Sequence, residues 1–317
     1  MFFVLFVVSS NSSSPLRAIA LMGATGSGKS ALAMQLCRPI DAAIVACDSM
    51  QLYRGLDIGT AKPTRDEQAE VRHHLIDTHT LPAICSAAEW AELARAAIRA
   101  ENMAGRTPLI VGGTGFYLRA LLQGFADIPP EEPDVRAALQ VESLERGIVS
   151  LYQELVQIDP VTAARLSSHD TQRILRALAV FRSSGRTLSD WTAAERLAEP
   201  IECPVFVLDI EREELHSRIA RRFESMLAAG WLDEIKWLMS LDLPQGHPAM
   251  RAVGYRQLLD HFAGTLSLDE AVEAGIAATR HYAKRQATWF RHQTPEAIHG
   301  DRDLLTQLIQ RALSLPI

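Results

Sequence analysis

The sequence predicts an α/β protein, a parallel sheet wound with helices and interrupted by a helical insertion domain. Three observations predict it. Short apolar runs recur with helical periodicity between them. A glycine-rich run, Gly23-Ala24-Thr25-Gly26-Ser27-Gly28-Lys29-Ser30, stands between the first such run and a helical stretch. From 126 to 200 the pattern is helical throughout. Strands separated by helices imply a parallel sheet whose ligand site lies at the carboxyl ends of the strands.

The elements follow in order. Met1 to Val8 is apolar and is followed by serines, but no Lys or Arg precedes it. It is also far shorter than the roughly 20 residues that cross a bilayer, so 1–15 reads as a disordered or mis-assigned extension. Ala18 to Met22 is the first strand, and Ala31 to Leu36 opens the helix after the glycine-rich run. Ala42 to Cys47 is a second strand ending in Asp48. Pro108 to Val111 is a third, ending in Gly112-Gly113-Thr114-Gly115 before a helical stretch, Phe116 to Leu122. The turn Ile128 to Pro133 introduces the insertion, set at 126–200, and leaves 16–125 and 201–317 as the core. Val205 to Ile210 is the fourth strand, and from 212 onward only helical periodicity is expected.

The glycine-rich run carries the first chemistry. A G-x-x-x-x-G-K-S sequence between strand and helix lets successive backbone N–H groups turn inward on an anion. Lys29 adds a point charge, and the Ser30 hydroxyl can hold a magnesium ion shared with the phosphates. Residues Gly23 to Ser30 are thus expected to bind a di- or triphosphate on a P-loop NTPase-like core. A switch NTPase would end a buried strand in a magnesium-holding Asp, whereas here strand 109–111 ends in Gly-Gly-Thr. Asp48 and Asp209 remain, and Asp48, expected on the neighbouring strand, is placed beside the phosphates. This favours a transferase.

Composition narrows the partners. The formal charge of −6 argues against a generally basic nucleic-acid coat. Residues 171–189 nevertheless contain Arg173, Arg176, Arg182 and Arg186 without a carboxylate, and 276–294 contain Arg280, Lys284, Arg285 and Arg291, also without one. Each reads as a local basic face. Tyr282, Trp289 and Phe290 in the second stretch either pack in the core or stack on an unpaired base. The four cysteines are scattered and read as reduced residues without a special role. His73 and His74 would point to opposite sides of a strand, so the pair reads as structural.

One long block is more specific. Asp48-Ser49-Met50-Gln51-Leu52-Tyr53-Arg54-Gly55-Leu56-Asp57-Ile58-Gly59-Thr60-Ala61-Lys62-Pro63 resembles the D-S-x-Q-x-Y-R-G-x-D-I-G-T-A-K-P signature of tRNA dimethylallyltransferases. Further blocks are similar to that family's, in its order: His73 to Asp77, Gly112 to Leu118, Asp170 to Leu178, Arg251 to Arg256 and Lys284 to Arg291. The resemblance spans about 17–292. The P-loop departs from the usual G-P-T-A-S-G-K-T but keeps a hydroxyl at Ser30. The zinc-finger extension of eukaryotic members has no counterpart, as expected of the bacterial type.

The resemblance implies transfer of a dimethylallyl group from its diphosphate to N6 of adenine-37, 3′ of the anticodon, in tRNAs reading codons that begin with U. It implies Asp48, Thr114 and Arg222 as catalytic residues. Asp48 would accept the N6 proton, and Arg222, one turn from Arg218 on the same helix face, would clamp the diphosphate. It implies tRNA contacts at Asp48, Ser49, Met50, Gln51, Thr114, Arg136, Gln172, Arg173, Ile174, Leu175, Arg176, Arg251, Ala252, Val253, Gly254, Tyr255, Arg256, Lys284 and Arg285. Magnesium is the expected cofactor, held at Ser30. The partners are the tRNA anticodon stem-loop and dimethylallyl diphosphate, with no membrane, and the protein is expected to be a cytoplasmic monomer. Two other classes stay open on the residues alone: a P-loop small-molecule kinase or NTPase using ATP, and an RNA-binding module that uses its P-loop as a switch.

Overall fold

A computed structural model describes residues 15–124, 128, 132–193 and 199–314. The expected N-terminal extension lies, apart from Pro15, outside the described residues. The chain forms two compact units, Met1–Leu122 with Glu199–Ile317, and Gln123–Ala198. In chain order the first unit holds β1 (Leu16–Arg17), β2 (Ile19–Gly23), α1 (Lys29–Cys37), β3 (Ile44–Cys47), α2 (Arg65–Glu70), β4 (His73–His74), α3 (Ala87–Met103), β5 (Leu109–Gly112) and α4 (Gly115–Gln123). The second unit holds α5 (Pro133–Arg146), α6 (Ile148–Ile158), α7 (Pro160–Ala163), α8 (Thr171–Ser184) and α9 (Leu188–Ala193). The chain then returns to the first unit through β6 (Ile201–Glu202), β7 (Val205–Leu208), α10 (Arg212–Ala228), α11 (Trp231–Ser240), α12 (Tyr255–Phe262), α13 (Leu268–Gln293), β8 (Ile298–Gly300) and α14 (Arg302–Leu313).

The main sheet runs β4-β3-β5-β2-β7-β8, and every pairing in it is parallel. Its central strands β2, β3 and β5 are buried along their whole length, as continuous apolar runs in a sheet covered on both faces should be. One side of the core packs Leu32 and Leu36 of α1 and Leu305 and Ile309 of α14 against Leu21, Leu109 and Phe206. A second core joins Tyr53 and Leu56 to Phe223, Trp231, Ile235 and Leu258. The long α13 starts at a capping box: the Ser267 hydroxyl accepts the Glu270 N–H at 3.2 Å, and the Glu270 carboxylate accepts the Ser267 N–H at 2.8 Å. This reciprocal pairing satisfies two helix-end donors.

Two expectations about the sheet are corrected. Asp48 does not follow the strand beside the P-loop strand, because β5 lies between β2 and β3. The second strand after the insertion, β7, is the other direct neighbour of β2. Chain proximity therefore misled, since a parallel sheet can insert a later strand between two earlier ones. Second, the tail is not purely helical. Ile298–Gly300 pairs with β7 as an edge strand, and three residues are too few to show a period of two. The edge strand His73–His74 and the two-residue pairing of β1 with β6 lack a periodic signal for the same reason.

The insertion unit has its own core of Leu139, Leu151, Leu155, Ile174 and Leu178. Asp159 is 2% exposed and accepts the Thr162 N–H at 2.9 Å, the Thr162 hydroxyl at 2.7 Å and the Ser189 N–H at 3.0 Å. Burial works against its charge, but these hydrogen bonds outweigh it and hold its pKa below the usual carboxylate value. One polar residue thus ties α7 to α9.

Candidate active site

Register puts three strand ends at one level. Met22 of β2 and Cys47 of β3 both stand opposite Gly112 of β5, so the P-loop, Asp48 and the Gly113-Thr114 turn leave the same edge. Gly28 adopts φ 96° and starts α1, a left-handed conformation that glycine takes without steric cost. Within the loop, the Lys29 ammonium donates to the Ala24 carbonyl at 3.2 Å, and Arg218 Nη1 donates to the Ser27 carbonyl at 3.0 Å. The Ser27 hydroxyl is buried without a hydrogen-bond partner, and Ser30 is exposed.

Gln286 of α13 joins two of these loops. Its side-chain oxygen accepts the Thr25 N–H at 2.8 Å, and its amide nitrogen donates to the Gly113 carbonyl at 2.9 Å. A Cβ on residue 113 would come within 2.2 Å of that nitrogen, so the tie needs glycine there.

The signature block is a folded loop, many of whose polar groups are engaged within the loop or by neighbouring elements. The Lys62 ammonium, 3% exposed, meets the Tyr53 carbonyl at 2.7 Å, Asp57 at 2.5 Å and Asp77 at 2.6 Å. Gln51 donates to the carbonyls of Thr60 and Ala61. From α11, the Glu234 carboxylate accepts the N–H groups of Asp57 (2.8 Å), Ile58 (2.7 Å) and Gly59 (3.0 Å), together with the Tyr255 hydroxyl. Trp231 fills the space that Cβ atoms on Gly59 and Gly254 would need.

Between these loops lies a cleft of about 300 Å³. Thr25, Asp48, Arg222, Tyr282 and Arg285 supply polar lining, and Ile219, Phe223, Trp231 and Val253 supply apolar lining. Burial pushes the Lys29 ammonium down to about 8, with Asp48 pulling against the shift and Arg222 adding to it. Arg222 is likewise lowered by burial and supported by Asp48. The Tyr282 phenol is pushed up by burial and then by the Asp48 charge. Three cations (Lys29, Arg222 and Arg285), one carboxylate and one phenol therefore share one field, the pattern expected where charge is to be handled. Asp48 Oδ1 accepts the Met50 N–H at 2.9 Å.

Half of the expected site residues of the core unit converge on the cleft. Asp48, Ser49, Met50, Arg222, Arg251, Ala252, Val253, Tyr255 and Arg285 all line the cleft, with Thr25 and Gly26 of the P-loop. The Thr114 hydroxyl accepts the Ser49 N–H at 3.3 Å, which ties it to the residue after Asp48. Lys284 and Arg256 are exposed, whereas Tyr255 is 1% exposed and its phenol is engaged by Glu234.

In the insertion Arg136, Gln172 and Arg173 are exposed, while Leu175 and Arg176 are partly buried. Ile174 is fully buried in that unit's core, so its side chain presents nothing to an RNA. The stretch without carboxylates is also not free of them in space. Arg182 pairs with Glu142 and Glu154 at 2.7 Å each, Arg173 pairs with Asp170 at 3.2 Å, and Arg186 lies over Trp191.

The expected strand-end Asp209 sits 3.2 Å from His299 of β8. His73 and His74 do turn to different partners, the Val71 carbonyl and Glu101, each at 2.7 Å. The aromatics of α13 divide: Phe290 is core, Trp289 packs on Phe116 beneath Arg119, and Tyr282 faces the cleft. Sequence reasoning gave no role to Gln286, Glu234 or Lys62. For Gln286 a signal exists, because it falls on the buried stripe of α13 between Ala283 and Phe290. A glutamine there is an amide in an apolar phase.

Comparison with known proteins gives the family. A family model described as IPP transferase matches residues 51–293. The tRNA dimethylallyltransferase of Rhodopseudomonas palustris (strain BisB5) is 44% identical over 281 residues, covering 88% of this chain and 87% of that protein. That of Polaromonas sp. (strain JS666) is 45% identical over 314 residues, covering 93% and 94%. The solved tRNA isopentenylpyrophosphate transferase of Bacillus halodurans is 32% identical with a TM-score of 0.68, over 94% of this chain and 96% of that one. A eukaryotic dimethylallyltransferase solved while acting on tRNA, 24% identical with a TM-score of 0.77 over 94% and 78%, shares the fold. With a family match from 51 to 293 and relatives at these identities across nearly their whole length, the chain belongs to the IPP transferase family, that of the tRNA dimethylallyltransferases.

Proposed function

We propose that the protein transfers a dimethylallyl group from dimethylallyl diphosphate to N6 of adenine-37 in tRNAs reading codons that begin with U, giving N6-(dimethylallyl)adenosine. The observation that carries this reading is the shared field of Lys29, Asp48 and Arg222 at a cleft with both polar and apolar lining. The P-loop N–H groups, Lys29 and Arg222 hold the diphosphate and neutralise the charge that grows on it as the allylic C–O bond breaks. Arg222 suits this role because its planar fork matches phosphate oxygens. Phe223, Trp231 and Val253 keep water from the allylic carbon. As the N6–C bond forms, the N6 proton passes to the Asp48 carboxylate, one oxygen of which is held by the Met50 N–H. Thr114 orients the Ser49 segment beside it.

Magnesium fits this donor set: exposed Ser30 offers one hard oxygen and would hold the ion beside the diphosphate. When bound it supplies further neutralisation of the leaving charge. Exposed Lys284, Arg285 and Arg256 of the core unit and Arg136, Gln172 and Arg173 of the insertion offer cations and a base-reading amide to the anticodon stem-loop. We place the reaction in the cytoplasm, carried out by a monomer. Incubation with labelled dimethylallyl diphosphate, magnesium and bulk tRNA should move label into RNA. Label moving instead from γ-labelled ATP to a small molecule would overturn this reading.

A further inference from the structure

A cluster outside this chemistry lies in the core unit, where the segment after the signature loop meets the start of α3. One ligand atom each from His79, Cys85 and Glu89 lies within 4.8 Å of the others. His79 Nε2 stands 3.2 Å from Glu89 Oε1, and its other ring nitrogen meets the Thr78 hydroxyl at 2.9 Å. The ring is thus oriented from behind by a hydroxyl, as metal-bound histidines are held by a second partner. Cys85 is fixed on both sides: its N–H donates to the Tyr53 hydroxyl at 3.2 Å, and its carbonyl accepts the Tyr117 hydroxyl at 3.3 Å. Glu89 is set by the Ser86 cap, whose hydroxyl accepts the Glu89 N–H at 3.1 Å.

We propose that His79, Cys85 and Glu89 form a binding site for a zinc-class divalent cation, with His79 Nε2, Cys85 Sγ and a Glu89 oxygen as ligands and water as the fourth. One nitrogen, one sulfur and one oxygen donor suit a borderline-soft tetrahedral ion and not magnesium. Bonds of roughly 2.0 to 2.3 Å in that geometry set ligand atoms about 3.3 to 3.6 Å apart, and the His79–Glu89 separation is already close to this. Binding breaks the Cys85 S–H bond and releases its proton to solvent.

The site reaches the signature loop through the backbone. The His79 N–H donates to the Leu52 carbonyl and the Arg54 N–H to the His79 carbonyl, both at 2.9 Å. The ion would therefore staple that loop to α3.

Metal-free full-length protein titrated with Co²⁺ should bind one equivalent and show a sulfur-to-cobalt charge-transfer band that Zn²⁺ bleaches. Cys85→Ser should lose the band, and Glu89→Gln, a change at an exposed carboxylate that leaves the core alone, should weaken zinc binding by at least about tenfold. Zinc should raise the thermal midpoint of the wild type, that of Glu89→Gln less at the same zinc concentration, and that of Cys85→Ser least. Absence of the band in the wild type, or a band and stoichiometry unchanged in Cys85→Ser, would overturn the proposal. So would unchanged zinc affinity in Glu89→Gln.

Discussion

The core unit, with arginine and lysine, and the insertion, with arginine alone, both carry positive charge in motifs that read as anion-binding, yet they treat that charge in opposite ways. Around the cleft, Lys29 and Arg222 are desolvated, and their nearest opposing charge is Asp48. In the insertion, Arg182 has gathered Glu142 and Glu154 around it, and these partners hold its pKa above the ordinary value. The first arrangement keeps positive charge in want of a partner, and the second has already supplied one. Charge counted along the chain is therefore not charge presented to a ligand. Only burial and partners tell the two apart.

The largest expected effect tests the core side of this contrast. Asp48→Asn keeps the shape and removes the proton acceptor, so steady-state turnover should fall by roughly 100-fold or more while tRNA affinity is unchanged. Near-normal turnover would make Asp48 a structural partner of the two cations, as Glu142 is of Arg182.

Next comes the tie between loops. Gln286→Leu leaves the Thr25 N–H and the Gly113 carbonyl without their partner, at a cost of about 1 to 3 kcal/mol. We expect kcat/KM for the donor to drop about tenfold, with Gln286→Glu between the two because it keeps the acceptor for Thr25. Equal activity in all three proteins would show that the P-loop holds its shape alone.

A smaller, graded effect follows from Lys29. Its pKa falls from 10.5 to about 8, so the ammonium is present below that pH and is lost as pH rises through it. Donor kcat/KM, which reports the free enzyme, should decline from pH 7 to 9, and Lys29→Ala should start low and lose that step. A profile that rises over this range in the wild type would contradict the role given to Lys29.

The smallest effect separates presented from spent charge directly. If Lys284 meets an RNA phosphate, Lys284→Ala should reduce the slope of log tRNA affinity against log salt by about 0.7 to 0.9. Arg182→Ala should leave that slope unchanged. A reduced slope for Arg182 would mean that RNA displaces its carboxylates.

The sequence made the family legible through the signature block, and the strand-loop-helix setting of the P-loop legible through its glycine-lysine-serine run, because both patterns are local. Strand adjacency was not legible. That β5 separates β2 from β3 depends on sheet order, which no local pattern encodes. Nor could Glu142 and Glu154 be matched to Arg182, since they lie 40 and 28 residues away and meet it only once α5, α6 and α8 pack. Glu234 shows the same limit. It reads as an ordinary surface acid on α11, and its partners are N–H groups more than 170 residues earlier.

Those three N–H groups, from Asp57, Ile58 and Gly59, form a small anion receptor of the kind that elsewhere greets a phosphate. Here the guest is a side chain of the same chain. The chain thus fills with its own Glu234 a cradle of the kind that the P-loop is proposed to keep for the diphosphate. A loop whose guest never leaves does not need substrate to shape it. The signature segment should therefore stand already formed as one wall of the cleft.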